Sequence, residues 1–183
     1  MLRCGDRERR LALDDFYTGY MTSRLEPGEF VQAIEVPLDT PATLRAYKIS
    51  KRFDCDISAV CAGLALERDG SVVGAARLAF GGMAATVRRA AAAEAALLGR
   101  PWDQAAVGRA QAALASDFTP LSDMRASAAY RLQVAQNLLL RFWLETRDDD
   151  PLAASASSVW SRADAAPDRQ ADVASPAAAG ATP

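Results

Sequence analysis

The segment Lys48-Ile-Ser-Lys-Arg-Phe-Asp-Cys-Asp-Ile-Ser-Ala-Val60 sets Lys48, Lys51 and Arg52 against Asp54 and Asp56, with Cys55 between the acids, and then becomes apolar. Two chemistries are open to such a cluster. The cations could favour negative charge on a bound group, and the thiol could act as a nucleophile if it were ionised. The second needs a base, and the 183-residue chain has no histidine. That removes Ser-His and Cys-His pairs, histidine metal sites and the usual general base near neutral pH. The acids on either side of Cys55 should also raise its pKa and blunt its reactivity. The residues alone leave the task of the cluster open.

The elements around the cluster are legible from periodicity. Residues 30–36 and 44–49 alternate large apolar with polar or small residues, with Pro37 and Pro41 punctuating the link, and read as two strands each with one wet face. Residues 57–67 carry apolar or small side chains on both faces, as a strand covered on both sides does. Asp69-Gly70 signals a tight hairpin, and 72–80 returns as the fourth strand, ending at Gly81-Gly82. That glycine pair reads as a permissive strand-to-helix turn. A helical period follows over 87–98, stopped by Gly99 and Pro101. Asp103 can cap a second helix with Val107, Ala110 and Leu114 as its stripe. A third spans 127–145, where Ala129, Leu132, Ala135, Leu139 and Phe142 recur at helical steps. Strands followed by helices predict an α+β two-layer sandwich, a four-stranded antiparallel sheet with three helices on one face. The other face should be left partly apolar.

Composition bounds the rest. Half the chain is hydrophobic, which suits one core. Three cysteines, Cys4, Cys55 and Cys61, with no C-x-x-C spacing support neither a disulfide framework nor a zinc or iron–sulfur site. No apolar run reaches membrane-spanning length, and the start lacks a signal-peptide core, so a cytoplasmic protein without a membrane partner is expected. A net charge of −2 and short basic clusters give no stripe for nucleic acid. From Asp148 onward the composition turns to Ala, Ser, Asp and Pro, which predicts a disordered tail over 148–183. No phosphate-cradling glycine loop or nucleophile elbow is present.

Several motifs occur together: A-Y-K-I-S-K-R-F-D-C-D-I-S-A-V, L-x-F-G-G-M-A, S-D-M-R-A-S-A-A-Y-R, and upstream L-x-L-x-D-F-Y-x-G-Y and L-E-P-G-E-F. As a set, over residues 8–146, they resemble the C-terminal lobe of the FAD-binding region of xanthine dehydrogenases, in particular the bacterial small subunit of this molybdenum hydroxylase and CO dehydrogenase flavoprotein family. The resemblance implies a lobe covering one side of the flavin in an oxidoreductase of purine catabolism. Electrons would come from a molybdenum cofactor through iron–sulfur clusters to FAD, then to NAD. It also implies that the FAD-phosphate loop and the iron–sulfur cysteines belong to an upstream portion, with molybdenum on a partner subunit. The chain is then a fragment not expected to turn over alone. Residues 1–29 would be the end of the upstream portion and linker, and 30–147 the family domain.

By the same resemblance, Lys48 matches a lysine at the polar edge of the flavin, and Leu25 a position whose backbone meets it. Arg52, Asp54, Cys55 and Asp56 match a loop beside the ring that faces NAD. Cys55 departs from the family, which has an acid there. Read from the residues alone, Asp123, Arg125, Ser127, Tyr130 and Arg131 cap and anchor the last helix through hydrogen bonds and a surface ion pair. Cys61 reads as inert core, and Trp102 and Trp143 as packing residues. A non-catalytic assembly module that keeps the fold, and a free-standing cysteine enzyme, remain as alternatives.

Overall fold

The computed structural model describes residues 1–38, 43–52 and 55–157. The chain divides into two units, Met1–Pro151 and Leu152–Pro183. The first opens with β1 (Leu2–Cys4), β2 (Arg7–Arg9), α1 (Leu13–Phe16), β3 (Tyr17–Gly19), β4 (Thr22–Ser23) and β5 (Phe30–Val31). It continues with β6 (Thr43–Ser50), β7 (Ser58–Asp69), β8 (Val72–Gly81) and β9 (Arg88–Arg89), then α2 (Ala91–Leu97), α3 (Gln104–Asp117) and α4 (Ala128–Thr146). Within the second unit the described residues hold one helical turn, α5 (Ala154–Ser157). No described helix is long and apolar enough to cross a membrane.

The expected α+β architecture is present: a four-stranded antiparallel sheet ordered β6-β7-β8-β9, with α2, α3 and α4 packed on one face. Its composition differs from the expectation at one strand. Residues 30–36 are not in this sheet. Phe30 and Val31 pair with Arg3 and Leu2 in a separate sheet ordered β2-β1-β5. Gln32 and Ala33 then donate to the Met1 carbonyl, and the strand goes no further. The vacancy is filled by Arg88–Arg89, which pairs with Phe80 and Ala79.

That pairing also shortens the first helix from the predicted 87–98. Ala90 donates to the Leu78 carbonyl at 2.8 Å, so the chain leaves the sheet only there. The start of α2 has no local cap. Asp117, at the far end of α3, accepts from Ala92 N–H at 2.8 Å and Ala93 N–H at 3.0 Å instead, satisfying donors that a helix start leaves orphaned. The other two helices are capped as predicted. Asp103 accepts from Ala106 N–H, and Ser127 accepts from Tyr130 N–H.

The core lies between sheet and helices. Val60, Ala62, Leu64 and Leu66 of β7 alternate inward, joined by Leu78 and Phe80 of β8. Opposite them sit Leu97, Val107, Ala110, Leu114, Ala135, Leu139 and Phe142. Trp102 and Trp143 are packing residues. The Trp102 indole meets Phe142 edge-on and donates to Thr146, and Trp143 donates to the Trp102 carbonyl.

Candidate functional site

The face of the sheet turned away from the helices carries no helix among the described residues and is exposed along Leu44, Ala46, Lys48, Gly63 and Arg77. Because strand side chains alternate, Leu44, Ala46 and Lys48 of β6 share this face with their cross-strand partners Ala65, Gly63 and Cys61. Arg77, Ala79 and Gly81 continue it on β8. Small side chains leave the surface shallow, and Lys48 stands exposed at its end, opposite Cys61. A Cβ on Gly81 would lie 2.5 Å from the Cys61 sulfur and 3.5 Å from Val87. Cys61 is therefore half-buried on the open face, occupying space its neighbour vacates, rather than inert core as the sequence suggested.

Beyond Lys48 the register shifts between Ile49 and Ser50, which still pair with Val60 and Ser58, and the strand ends at Ser50. Ser50 Oγ donates to the Cys55 carbonyl at 3.1 Å, and Cys55 N–H to the Arg52 carbonyl at 3.3 Å. Lys48, Arg52, Cys55 and Asp56 line one hollow there, so four of the predicted site residues come together. Asp54 lies outside the described residues.

The expected raised pKa of Cys55 is reversed: its thiol is pushed down. The Ile57 backbone N–H is the largest cause, followed among the lowering causes by the Arg52 and Lys48 charges, which together outweigh burial. Acids adjacent in sequence matter less than the donor and cations the turn aims at the sulfur.

Arg131 is also more than a surface partner. It is 3% exposed. Its guanidinium donates to the Ala59 carbonyl, to the Gly82 carbonyl at 2.8 Å and to Asp123 at 2.7 Å. It thus ties the start of β7, the turn after β8 and the 122–127 turn to the first turn of α4. Gly82 has φ of 80°, and a Cβ there would collide with the Ala59 carbonyl. Glycine is required by conformation and by space. Asp123 also accepts from Arg125 N–H and Ala126 N–H, and these bonds with Arg131 hold its carboxyl down at about 2.

Leu25 stands apart from the hollow, 39% exposed. One ion pair governs its backbone. Arg9 donates to the Arg24 carbonyl at 2.5 Å and to Glu29 at 2.7 Å, while Glu29 accepts from Glu26 N–H at 2.8 Å. Those groups belong to the two peptide planes flanking Leu25, so the pair sets where its own N–H and C=O point. The Glu29 side chain is 1% exposed, and Arg9 with the Glu26 N–H holds its carboxyl at about 2.

Sequence reasoning missed the Arg9–Glu29 frame and the buried role of Arg131. The second had a signal. Arg131 occupies the same helical stripe as Ala135, Leu138 and Phe142, where a charge demands buried partners.

The chain and its fold have relatives among known proteins. Residues 45–146 match the CO dehydrogenase flavoprotein C-terminal domain. The chain is 33% identical over 156 residues to xanthine dehydrogenase of Emericella nidulans, covering 79% of this chain and 11% of that protein. It is 31% identical over 133 residues to the carbon monoxide dehydrogenase medium chain of Afipia carboxidovorans, covering 73% and 46%. Among solved structures, a Cu,Mo-CO dehydrogenase in its cyanide-inactivated form superposes with a TM-score of 0.67 at 28% identity, covering 76% of this chain and 49% of that one. The chain spans about a tenth of the first relative and under half of the second. It belongs to the CO dehydrogenase flavoprotein C-terminal domain family.

Proposed function

We propose that this chain is the flavin-covering lobe of a xanthine dehydrogenase-type small subunit, helping electrons pass from molybdenum and iron–sulfur centres through FAD to NAD. The observation that carries this is the exposed Lys48 on a sheet face whose nearest members are the small Ala46, Cys61, Gly63, Ala79 and Gly81, beside a hollow lined by Arg52, Cys55 and Asp56. A planar ring can approach such a face closely, and a cation at its edge favours the charge a ring gains on reduction. The residues present fit one side of a ring. The described residues contain no glycine-rich phosphate loop, so the phosphates, like the iron–sulfur clusters and molybdenum, belong to other segments or subunits.

Bound FAD supplies reversible two-electron chemistry. This chain's residues position it: Lys48 places positive charge, Leu25 presents backbone oriented by Arg9 and Glu29, and the face excludes water. Arg52 and Asp56 set the field through which NAD approaches. Residues 1–29 then close the upstream portion, 30–147 form the family domain and 148–183 are an appended tail. An assembly module that merely docks a partner would also use the exposed Leu44, Ile57 and Val87, but it leaves Lys48 and the hollow without a task.

The test is to titrate this chain into the FAD-loaded upstream portion of a family member. Flavin fluorescence should be quenched as the face closes over the ring, and Lys48→Met should weaken that closure. An unchanged flavin spectrum at saturating chain would reject the reading.

A further inference from the structure

We infer that Asp123 and Arg131 are positioning residues for the charged segment after β6, acting through the 122–127 turn and a latch from Lys51 to Met124. That this segment serves a flavin rests on the function proposed above; the latch itself does not. Lys51 Nζ donates to the Met124 carbonyl at 2.7 Å, joining two segments far apart in sequence. The carbonyl is where it is because the turn is over-determined. Asp123 accepts from two backbone donors of the turn, its own N–H bonds the Ala126 carbonyl at 3.0 Å, and Arg131 anchors its carboxylate from the buried side. Ser122 Oγ accepts from Ala128 N–H at 2.8 Å, fastening the turn to α4. Arg131 also holds the Ala59 carbonyl, so one guanidinium fixes both the platform and the point where the segment rejoins the sheet.

Lys51, Arg52, Cys55, Met124 and Arg125 line one small hollow at this junction, which makes Cys55 a native reporter of the latch. Among the described residues, the charged groups lining the two hollows beside Cys55 are Lys48, Lys51, Arg52 and Asp56 from its own segment and Arg125 from the turn, and of these Arg52 and Lys48 act on the thiol. The latch is solvent-exposed, so its loss should move the segment without unfolding the chain.

The experiment is the pH profile of Cys55 alkylation by iodoacetamide in the full chain, resolved by mass spectrometry from Cys4 and Cys61. In Asp123→Asn, the loss of a negative charge through space would lower the midpoint, whereas release of the segment from its ordering contacts raises it. The expected result is a rise of about half a pH unit. Lys51→Met should show the same rise and Lys51→Arg should restore the native midpoint. An unmoved or lowered midpoint in Asp123→Asn overturns the inference, as does a rise in Lys51→Met alone. Should Asp123→Asn fail to fold, Ser122→Ala decides, because it loosens the turn from α4 without changing any charge: a rise supports the latch, and no rise overturns it. None of these measurements involves flavin, so they can fail or succeed independently of the proposed function.

Discussion

Lys48→Met tests the proposed function at the atom on which it rests. Lys48 is exposed on the face of the sheet turned away from the helices, opposite Cys61, and makes no part of the core. Its replacement should leave the thermal transition of the isolated chain essentially in place. In an assembly complemented with the FAD and iron–sulfur portion and a molybdenum subunit, the same change removes a unit charge beside the ring. Two charges about 4 Å apart interact by about 1 kcal/mol in bulk water and about 4 kcal/mol at the effective dielectric of a partly covered protein surface. A charge-assisted hydrogen bond falls in the same range, about 1–3 kcal/mol. For a two-electron couple about 30 mV corresponds to about 1.4 kcal/mol, so the flavin potential should drop by roughly 20–60 mV. Spectroelectrochemical titration with indicator dyes reads this directly. Cys55→Asp should push the potential the same way by less, because a loop charge is better screened. Reduction of the iron–sulfur clusters by substrate should survive both changes. A potential that stays put in Lys48→Met would refute the reasoning, as would loss of clusters and substrate oxidation together with flavin reduction. The second result would make Lys48 a folding residue.

Gly81→Ala should destabilise the chain by roughly 1–3 kcal/mol in urea unfolding, since its methyl would sit 2.5 Å from the Cys61 sulfur, and adding Cys61→Ala should recover most of the loss. Acid unfolding should respond to Glu29 and Asp123, whose folded values of about 2 lie below their ordinary 4.5 and 3.8. A depressed carboxylate contributes stability that is present above its unfolded pKa and drains away as pH falls toward its folded one. Glu29→Gln should therefore flatten the loss of stability between about pH 4.5 and 2, and Asp123→Asn that between about pH 3.8 and 2, in denaturant titrations. The purified chain should carry no stoichiometric flavin after desalting; a yellow preparation would show that these residues suffice for tight binding.

The parts of the fold legible in the sequence are those whose cause is local. The Asp69-Gly70 hairpin needs only a glycine at positive φ, here 57°, and two flanking apolar runs. Asp103 and Ser127 cap helices within three residues of themselves. What failed depends on partners distant in sequence. Residues 30–36 alternate like a strand, but their partner is the first strand of the chain, which supports only Phe30 and Val31. Arg88–Arg89 reads as the start of an alanine-rich helix because its pairing with Ala79 and Phe80 has no signature of its own. At the site, the cluster of Lys48, Arg52, Cys55 and Asp56 was visible because it is contiguous. The direction of the Cys55 shift was not, because a turn decides which neighbour reaches the sulfur. The Arg9–Glu29 frame around Leu25 joins residues twenty apart, and no periodicity announces it.

The order β6-β7-β8-β9 has one further consequence: Thr43–Ser50 is a long outer strand of its sheet, with one side hydrogen-bonded to β7 and the other without a partner strand among the described residues. Such a margin is a template for another chain's backbone, and proteins blunt it with charge, lysine above all. Arg45 and Lys48 supply that charge here, on opposite faces of the same strand. Lys48 would then guard against chain-to-chain strand addition while the lobe is alone, before it has any ring to attend to. The methionine variant should accordingly form intermolecular β-structure at lower protein concentration than the parent, even where its melting curve is unchanged.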